Sequence, residues 1–410
     1  MVAAVVSLWA CREDQMVILS ETVQLQKEDL SEEEDVEEEE DGETVRYRVR
    51  RQLLGFYLLN EGNMGSNKCT LDYYDFVEGV YHRNIYGEIN PEVPKELGDV
   101  GNDIGIYGSR LYAVINCSNK VEVMDARTAR RIGQIDIPNC RYIRFHDKYA
   151  YVTSYAGPVL LTPDYDQIGY VAKVDTATLQ VVATCEVGFQ PDELEITDGK
   201  IFVANSGGYM SPNYENTVSV IDLETFTEME RIEVAVNLHH LKLDGHGQLW
   251  VSSRGDYETI PSELYYIDVE SRTVMGSMDT RVSNFCINGD SLYVYSDEFS
   301  YISYEDEISY ARINLKNMEV ETTSFISDGT QGDITMPYGI AVNPVNKDIY
   351  VTNAGDYVNP GRLYCYSKDG VLKWSVRAGD IPAHMAFLWK ETKEKIEAAE
   401  KTADEGHTEE

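Results

Sequence analysis

The chain has 410 residues, with 35 lysines and arginines against 71 aspartates and glutamates, so its formal net charge is −36 at pH 7. This charge argues against binding to nucleic acid or to anionic lipid, because phosphate groups repel an acidic surface. No apolar run reaches the roughly 20 residues that a membrane-spanning helix needs. Hydrophobic residues make up 43% of the chain, which is enough for a large core.

The N-terminus has the order of features found at a lipoprotein processing site. Residues 1–10 are apolar and uncharged, and Cys11 follows directly. This resembles the end of a bacterial lipoprotein signal peptide, in which residues 8–10 would form the lipobox and Cys11 would be acylated. A positively charged start is missing, so we expect the true signal to begin upstream. Residues 12–14 resemble the sorting tag of Bacteroides-like surface lipoproteins.

Two charged segments flank the central part of the chain. Residues 28–43 contain twelve acidic side chains and no basic one, so they cannot form a core and they repel each other. We therefore expect residues 12–52 to form a disordered acidic tether, either a solvated segment without a partner or a spacer that holds the domain off the membrane. Residues 390–410 alternate Lys, Glu and Ala, which predicts a solvated helical or frayed tail.

One strand-like segment recurs seven times between these ends. Each copy starts with an aromatic residue, continues with β-branched or small apolar residues, and ends in polar turn formers. This composition is typical of a buried strand that leads into a loop. Successive copies begin 39 to 57 residues apart. The leading aromatic residues are Tyr57, Tyr112, Tyr151, Phe202, Trp250, Tyr293 and Tyr350.

Further segments complete each repeat. An alternating segment follows each copy and often closes on an aspartate, as at Asp125 and Asp222, whose side chain can cap the next turn. A more polar third segment, suited to an outer edge strand, and a fourth segment come next. Four short strands in each of seven units predict an all-β fold: a seven-bladed β-propeller with four-stranded antiparallel blades, spanning residues 53–389.

The two ends of the repeat region are each incomplete. The copy at Tyr57 has no strand before it, and residues 382–388 resemble the first strand of a blade that has no continuation. We expect this C-terminal segment to become the innermost strand of the first blade. Closure of this kind removes the exposed sheet edges that an open ring would leave.

The repeat resembles a known propeller family. Residues 216–225, Asn-Thr-Val-Ser-Val-Ile-Asp-Leu-Glu-Thr, and Gln-Pro-Asp at 190–192 are similar to the YncE-like, surface-layer-type seven-bladed propellers. Together with the lipoprotein-like start, the chain resembles the surface lipoproteins of gut Bacteroides that capture cobalamin and pass it to a TonB-dependent transporter. The resemblance implies a lipid-anchored protein on the outer membrane, exposed at the cell surface, with cobalamin or another corrinoid as ligand and membrane contact only through the anchor.

Propeller geometry predicts where the ligand would bind. The loops between second and third strands lie at the same end of the channel as the starts of the first strands. In this chain these segments are rich in tyrosine, amide and carboxylate groups, which suit a large, partly flat ligand that carries amides. The candidate ligand-binding residues are Glu61, Asn63, Asp103, Arg141, Tyr155, Asp192, Tyr209, Tyr214, His240, Tyr257, Asn284, Tyr304, Tyr338, Tyr357 and His384.

Individual members of this set have structural roles open to them. A loop tyrosine can pack between blades, and Asp192 can serve as a hydrogen-bond partner inside the channel. His240 and His384 can be core residues or, at the channel end, cobalt ligands. The concentration of such residues at one end of the channel is therefore the evidence for a site.

Catalytic motifs are missing from the sequence. It contains no G-x-S-x-G, P-loop or HExxH pattern, so we expect neither an enzyme nor a resident cofactor or metal. Two other function classes remain open. One is an interaction or adhesion module that uses the same face for a protein or glycan, and the other is a propeller enzyme such as a lyase or hydrolase.

Overall fold

The computed structural model describes residues 20–40, 43–160, 166–300 and 305–396. Within these residues the strands form seven antiparallel sheets, six with four strands and one with six. This arrangement confirms the predicted seven-bladed propeller. None of the described helices combines the length and the apolar character needed to span a bilayer.

The strands follow the chain blade by blade. The first blade begins with β1 (Glu21–Gln24), β2 (Leu30–Glu40), β3 (Glu43–Asn60), β4 (Thr70–Asp75) and β5 (Val80–Arg83), followed by a short helix, α1 (Tyr86–Ile89). The second and third blades are β6 (Gly101–Tyr107), β7 (Arg110–Ile115), β8 (Lys120–Asp125), β9 (Arg131–Asp136), β10 (Cys140–His146), β11 (Tyr149–Ser154), β12 (Tyr170–Asp175) and β13 (Gln180–Glu186). The fourth and fifth are β14 (Pro191–Thr197), β15 (Lys200–Asn205), β16 (Thr217–Asp222), β17 (Thr227–Glu233), β18 (Leu238–Leu243), β19 (Gln248–Ser253), β20 (Glu263–Asp268) and β21 (Thr273–Met278).

The last two blades lead back to the first. The sixth is β22 (Asn284–Asn288), β23 (Ser291–Ser300), β24 (Glu305–Asn314) and β25 (Glu319–Thr322), followed by a 3-10 turn at Thr330–Asp333. The seventh is β26 (Pro337–Val342), β27 (Ile349–Asn353), β28 (Pro360–Tyr366) and β29 (Leu372–Asp380), and the final strand is β30 (Pro382–Lys395). The first strand of each blade contacts the first strand of the next blade, and β30 contacts both β26 and β6, so the ring is closed.

The predicted closure by the C-terminal segment is confirmed. Strand β30 pairs antiparallel with β3, placing Phe387 opposite Phe56 and Met385 opposite Leu58. The side chains of Phe56 and Leu58 are fully buried. The innermost strand of the first blade therefore comes from the far end of the sequence, and every blade has a neighbour on both sides.

The hydrophobic core lies between adjacent blades. Val114 and Val123 of the second blade, for example, share one buried cluster with Ile143 and Val152 of the third. Aspartates that close the third strand cap the following turns, as the sequence predicts. Asp222 Oδ1 accepts hydrogen bonds from the backbone N–H (2.7 Å) and the hydroxyl (2.8 Å) of Thr225. These bonds lower the pKa of Asp222 below its ordinary value.

The acidic segment differs from the disordered tether expected for residues 12–52. Strand β2 pairs with residues 43–53 of β3, and β1 adds to the outer edge of the first blade by pairing with β5. The sequence just after the acidic run supplies the counter-charges: Arg48 Nε lies 3.0 Å from Asp35 Oδ1, and Arg51 Nη1 lies 2.8 Å from Glu34 Oε1. Pairing across the strands replaces the self-repulsion that the acidic run would have alone.

The predicted tail also differs over its first residues. Residues 390–395 continue β30 and pair with residues 47–52 of β3, so β2, β3 and β30 form a three-stranded ribbon that extends beyond the blade. Because Asn60 pairs with Pro382 at one end of these strands and Tyr47 pairs with Lys395 at the other, the ribbon extends from the end of the ring opposite to the starts of the first strands.

Candidate functional site

A cavity of about 580 Å³ opens at the end of the channel where the first strands begin, and we refer to it as the mouth cavity. The described residues place nine members of the predicted set on its lining. These are Glu61, Asn63, Arg141, Tyr209, His240, Asn284, Tyr338, Tyr357 and His384. Residues from both ends of the sequence therefore share one cavity, as ring closure requires.

β-Bulges at the starts of the first strands position much of this lining. The pairing register shifts between Cys140 and Ile143, between Pro191 and Leu194, between Leu238 and Leu241, and between Pro337 and Ile340. A bulge adds an unpaired residue and redirects side chains, which is why bulges are frequent beside binding sites. The redirected positions include Arg141, Tyr142, His239, His240 and Tyr338.

A charge cluster lies directly under this lining. Asp192 is fully buried and accepts hydrogen bonds from Arg141 Nε (3.1 Å) and the Tyr155 hydroxyl (2.7 Å) on Oδ1, and from Arg254 Nη1 (3.2 Å) on Oδ2. The Arg141 guanidinium also lies over the Tyr155 ring, 4.8 Å from its centroid. Asp192 and Tyr155 are thus below the surface of the cavity, where they hold the two arginines. They were predicted as ligand contacts, and the structure places them in the internal roles that the sequence also left open.

Asp103 is also buried away from the mouth cavity. Its Oδ2 accepts hydrogen bonds from the backbone N–H of Ile143 (2.9 Å) and from Arg144 Nη1 (3.1 Å). It therefore ties the second blade to the third. The sequence predicts an exposed ligand contact at Asp103, but the structure buries this carboxylate. A buried backbone N–H and a guanidinium group both need an acceptor at this position.

Histidines complete the wall around the arginines. The Tyr142 hydroxyl lies 3.0 Å from His239 Nε2, and the rings of His239 and His240 are 3.8 Å apart. Burial lowers the pKa of His239 well below its ordinary value, and the positive charge of Arg254 lowers it further. The His239 ring is therefore neutral at pH 7.

Below His240 the channel contains a second charge cluster centred on Glu193. This carboxylate contacts His240 Nδ1 (3.1 Å), Lys242 Nζ (2.6 Å) and Arg144. Burial alone would raise the pKa of Glu193, but Lys242 and Arg144 lower it well below its ordinary value. The cluster joins the third, fourth and fifth blades and fixes the orientation of His240.

Another part of the lining is held by Glu61. Its Oε2 accepts a hydrogen bond from the Tyr338 hydroxyl (2.8 Å), and its Oε1 lies 2.9 Å from His384 Nε2. The Tyr338 ring packs edge-on against Tyr357 at 5.9 Å, and Asn63 Nδ2 donates to the Tyr357 carbonyl (2.9 Å). These contacts connect the first blade to the seventh and make this wall rigid.

A second cavity of about 590 Å³ adjoins the first. The two cavities share His239, Arg254, Ser283 and Asp297. Tyr257 lines the second cavity and is 59% exposed. Tyr214 packs edge-on against Tyr257 at 6.4 Å, so these two predicted residues lie beside the second cavity. Tyr304 and Cys11, also named by the sequence, lie outside the described residues.

Sequence reasoning missed Arg254 as a lining residue although a signal was present. The fifth position of each repeat copy, four residues after the leading aromatic, changes its chemical type from blade to blade. It is Glu61, Asn116, Tyr155, Ser206, Arg254, Asp297 and Ala354 in the seven copies. Four of these residues, Glu61, Asn116, Arg254 and Asp297, line the mouth cavity. A position that varies within a regular repeat thus marks the binding end of the ring.

Among the described residues, no group of three or more His, Cys, Asp or Glu side chains is arranged to hold a metal ion.

Residues 54–370 match the model of the family described as Domain of unknown function (DUF5074). The chain belongs to the DUF5074 family. No curated protein sequence matches this DUF5074 member.

Solved structures resemble the DUF5074 chain in fold. A quinonprotein alcohol dehydrogenase-like protein from Bacteroides thetaiotaomicron is 14% identical with a TM-score of 0.55, covering 89% of this chain and 96% of its own. Hydrazine synthase from Kuenenia stuttgartiensis is 17% identical with a TM-score of 0.57, covering 70% of this chain and 89% of its own. At these identities the similarity shows the propeller fold alone.

Proposed function

We propose that this DUF5074 member is a non-catalytic binding protein that captures cobalamin or a related corrinoid at the mouth cavity. We further propose that it is lipid-anchored at the outer cell surface and passes the ligand to a TonB-dependent transporter. The observation that carries the proposal is a pair of adjoining cavities at one end of the channel, lined by tyrosines and amides. The anchor and the transporter rest on the resemblance of the N-terminal sequence to surface lipoproteins.

The size of the paired cavities supports a large ligand. Each cavity, at about 580 and 590 Å³, lies within the roughly 300–1,000 Å³ of ordinary small-molecule sites. A corrinoid, which is larger than an ordinary drug-sized ligand, would extend from one cavity into the other past His239 and Arg254. The shared lining makes this extension continuous.

The chemistry of the exposed surface supports a flat ligand with amide groups. Tyr209, Tyr257 and Tyr357 are 55%, 59% and 37% exposed around the two cavities. Tyrosine provides a broad contact area at low entropy cost and retains a hydroxyl for hydrogen bonding. Asn63 and Asn116 also line the mouth cavity. Their amide nitrogens donate to the carbonyls of Tyr357 and Cys140, so their amide oxygens are the groups that would accept from the peripheral amides of a corrin ring.

Titration calorimetry of the full chain with cobalamin tests the proposal. We expect one binding site with a dissociation constant in the micromolar range or lower. Tyr209→Ala should weaken it about 5- to 30-fold, because a large aromatic contact contributes about 1–2 kcal/mol. Tyr107→Ala is the matched control, since Tyr107 is also exposed but lies at the opposite end of the ring. Absence of heat and of a spectral change in cobalamin at micromolar protein would rule the proposal out.

One observation favours a second candidate, a module that binds a protein partner at the same face. Met64 on the mouth cavity is 75% exposed, Ile260 on the second cavity is 46% exposed, and Val358, which follows Tyr357 in the chain, is 54% exposed. Exposed apolar residues of this kind at a rim are typical of a protein contact surface. If the proposed transporter docks here, Val358→Ser should leave cobalamin affinity unchanged while slowing cobalamin transfer to the transporter, since Val358 is exposed and is not part of either cavity lining. Weakened cobalamin binding in this variant would contradict that assignment.

A further inference from the structure

His240 is held in one orientation at the wall of the mouth cavity. Its backbone N–H donates to Ser252 Oγ (3.0 Å), and its ring Nδ1 lies 3.1 Å from Glu193 Oε2. Although burial opposes ionisation, Lys242 and Arg144 keep the pKa of Glu193 well below its ordinary value, so this carboxylate is ionised at pH 7. An ionised carboxylate only accepts hydrogen bonds, so the proton between the two groups lies on Nδ1.

The other ring nitrogen of His240 is an acceptor that the protein leaves open. Burial lowers the pKa of His240 below its ordinary value, although Glu193 acts in the opposite direction, so the ring is neutral at pH 7. A neutral ring that is protonated on Nδ1 carries a lone pair on Nε2. Within the described part of the chain Nε2 has no hydrogen-bond partner, yet the atom is not fully enclosed. Because His240 lines the mouth cavity, Nε2 is open to that cavity.

Two other described histidines of the mouth cavity differ from His240 in this respect. Nε2 of His239 lies 3.0 Å from the Tyr142 hydroxyl. Nε2 of His384 lies 2.9 Å from Glu61 Oε1. In both rings the nitrogen that lies farther from the backbone is therefore already in contact with a protein group. His240 is the ring that keeps this nitrogen for a ligand.

The surroundings of this acceptor favour an uncharged donor group. On the lining, two carboxylates and two guanidinium groups have formal charges that cancel, those of Glu61, Asp297, Arg141 and Arg254. No excess of positive charge therefore favours an anion. His240 is only 6% exposed, so a ligand reaches it with a slender side arm and not with a flat ring. A primary amide can donate an N–H to Nε2, whereas a carboxylate would oppose its own lone pairs to that of the ring.

We propose that Nε2 of His240 is a specificity subsite that accepts a hydrogen bond from a primary amide of the captured ligand. The inference rests on the proposed function and deepens it, because a corrin ring carries amide-ended side arms around its periphery. One such arm would reach His240 while the ring lies across the tyrosines at the rim. Glu193 acts as a positioning residue, because it fixes the protonated nitrogen and the orientation of the ring without contacting the ligand.

His240→Asn removes the acceptor and disturbs its support little. The amide nitrogen of asparagine can take the place of Nδ1 and donate to Glu193, while no atom of asparagine reaches the position of Nε2. His246→Asn is the matched control. This histidine also pairs with a carboxylate, Asp290 at 2.9 Å, but it lies in the turn between β18 and β19, at the end of the ring opposite to the mouth cavity. Thermal unfolding followed by circular dichroism checks that both variants are folded.

The experiment compares, by calorimetry, cobalamin with its monocarboxylic acids, in each of which one peripheral amide is hydrolysed to a carboxylate. The wild type should bind the acid that lacks the contacted amide about 10-fold or more weakly than cobalamin. His240→Asn should weaken cobalamin binding about 3- to 10-fold and reduce this gap to less than about 3-fold, as expected for two groups in contact. His246→Asn should match the wild type. An equal gap in the wild type and His240→Asn for every acid would overturn the subsite and leave corrinoid capture intact.

Nitrogen NMR of protein with labelled histidines separates the subsite from the proposed function. In the free protein the ring of His240, assigned by its loss in His240→Asn, should show a protonated Nδ1 and an unprotonated Nε2. Cobalamin, or propionamide alone at millimolar concentration, should shift the Nε2 signal. If no corrinoid binds but propionamide still shifts this signal, corrinoid capture fails and the subsite stands. A protonated Nε2, or a signal that neither compound moves, would refute the subsite.

Absorption spectra distinguish an amide contact from a bond between His240 and cobalt. Aquocobalamin has a water on cobalt that an imidazole can replace, whereas the cyanide of cyanocobalamin is held firmly. We expect the wild type and His240→Asn to give the same spectrum with each of these cobalamins. A spectral shift of aquocobalamin that requires His240 and is missing with cyanocobalamin would show that Nε2 binds cobalt, and it would overturn the amide assignment.

Discussion

Asp192→Asn tests the charge cluster that supports the mouth cavity. The substitution preserves shape and size but removes the carboxylate that accepts hydrogen bonds from Arg141, Arg254 and Tyr155. Both guanidinium groups then lose their counter-charge in a site where Asp192 itself is fully buried. We expect the free energy of unfolding to fall by about 3–5 kcal/mol, the range typical for removing one partner of a buried ion pair.

The magnitude follows from the contacts. Hydrogen bonds to a charged group contribute about 1.5–3 kcal/mol each, so three of them set an upper bound of about 4.5–9 kcal/mol. Two effects reduce this bound. Arg141 and Arg254 are 15% and 24% exposed, so water in the cavity solvates them in part. Asparagine also retains one acceptor oxygen for one of the three donors.

Urea unfolding followed by circular dichroism measures the effect. If the free energy of unfolding depends on urea concentration with the same slope in both proteins, the unfolded state is unchanged. Asp222→Asn is the control, because Asp222 caps an exposed turn and its loss should lower the free energy of unfolding much less than the loss of Asp192. The double variant Asp192→Asn with Arg254→Gln should recover at least about 1 kcal/mol relative to Asp192→Asn alone, since one unpaired charge is removed. A loss below about 1 kcal/mol for Asp192→Asn would refute the role of this cluster.

Three further predictions follow from the fold. A chain truncated after Ile381 lacks β30 and exposes the edge of β3 beside Phe56 and Leu58, so we expect it to aggregate, which light scattering and the soluble fraction would show. The difference in the free energy of unfolding between the wild type and Asp222→Asn should be present at pH 7 and vanish as pH falls below about 4. The pKa of Asp222 is lower in the folded state than its unfolded value near 3.9, so its contribution exists above that value and is lost on protonation. A difference that persists at pH 2 would contradict this. Arg48→Glu in the exposed ribbon should leave the free energy of unfolding in urea nearly unchanged, and a clear loss would show that the ribbon is part of the cooperative core.

Much of the ring could be predicted from the sequence because the repeat reports local properties. An aromatic-led strand and an aspartate-capped turn depend on neighbours within about ten residues, and these patterns recur in each unit. Closure by β30 was predictable too, since an incomplete first unit and an incomplete last unit have one economical solution. The ribbon could not be predicted from the acidic run alone, because its counter-charges are the arginines that follow at 46, 48, 50 and 51 and lie opposite it only once the two strands pair.

The candidate site was predicted less completely, and the bulges explain why. A regular strand alternates its side chains between two faces, but one added residue at the start of a first strand changes which side chain points into the channel. Tyr155 and Arg254 follow second strands, at the repeat position that changes its chemical type from blade to blade. Asp192 instead lies in one of these bulges and is placed below the lining of the cavity. Such shifts depend on contacts between blades and leave no regular signal in the sequence.

The direction of β3 has a consequence for how a tethered molecule would be displayed. The chain enters the ring from the ribbon, and eleven ribbon residues in β2 span about 35 Å at the usual rise of a β-strand. The start of the described chain lies elsewhere, because Glu21 pairs with Arg83 at the outer edge of the first blade, on the side of the ring that carries the mouth cavity. A support attached near the N-terminus would thus hold the molecule by the edge of this blade, and the ribbon would point away from the two cavities.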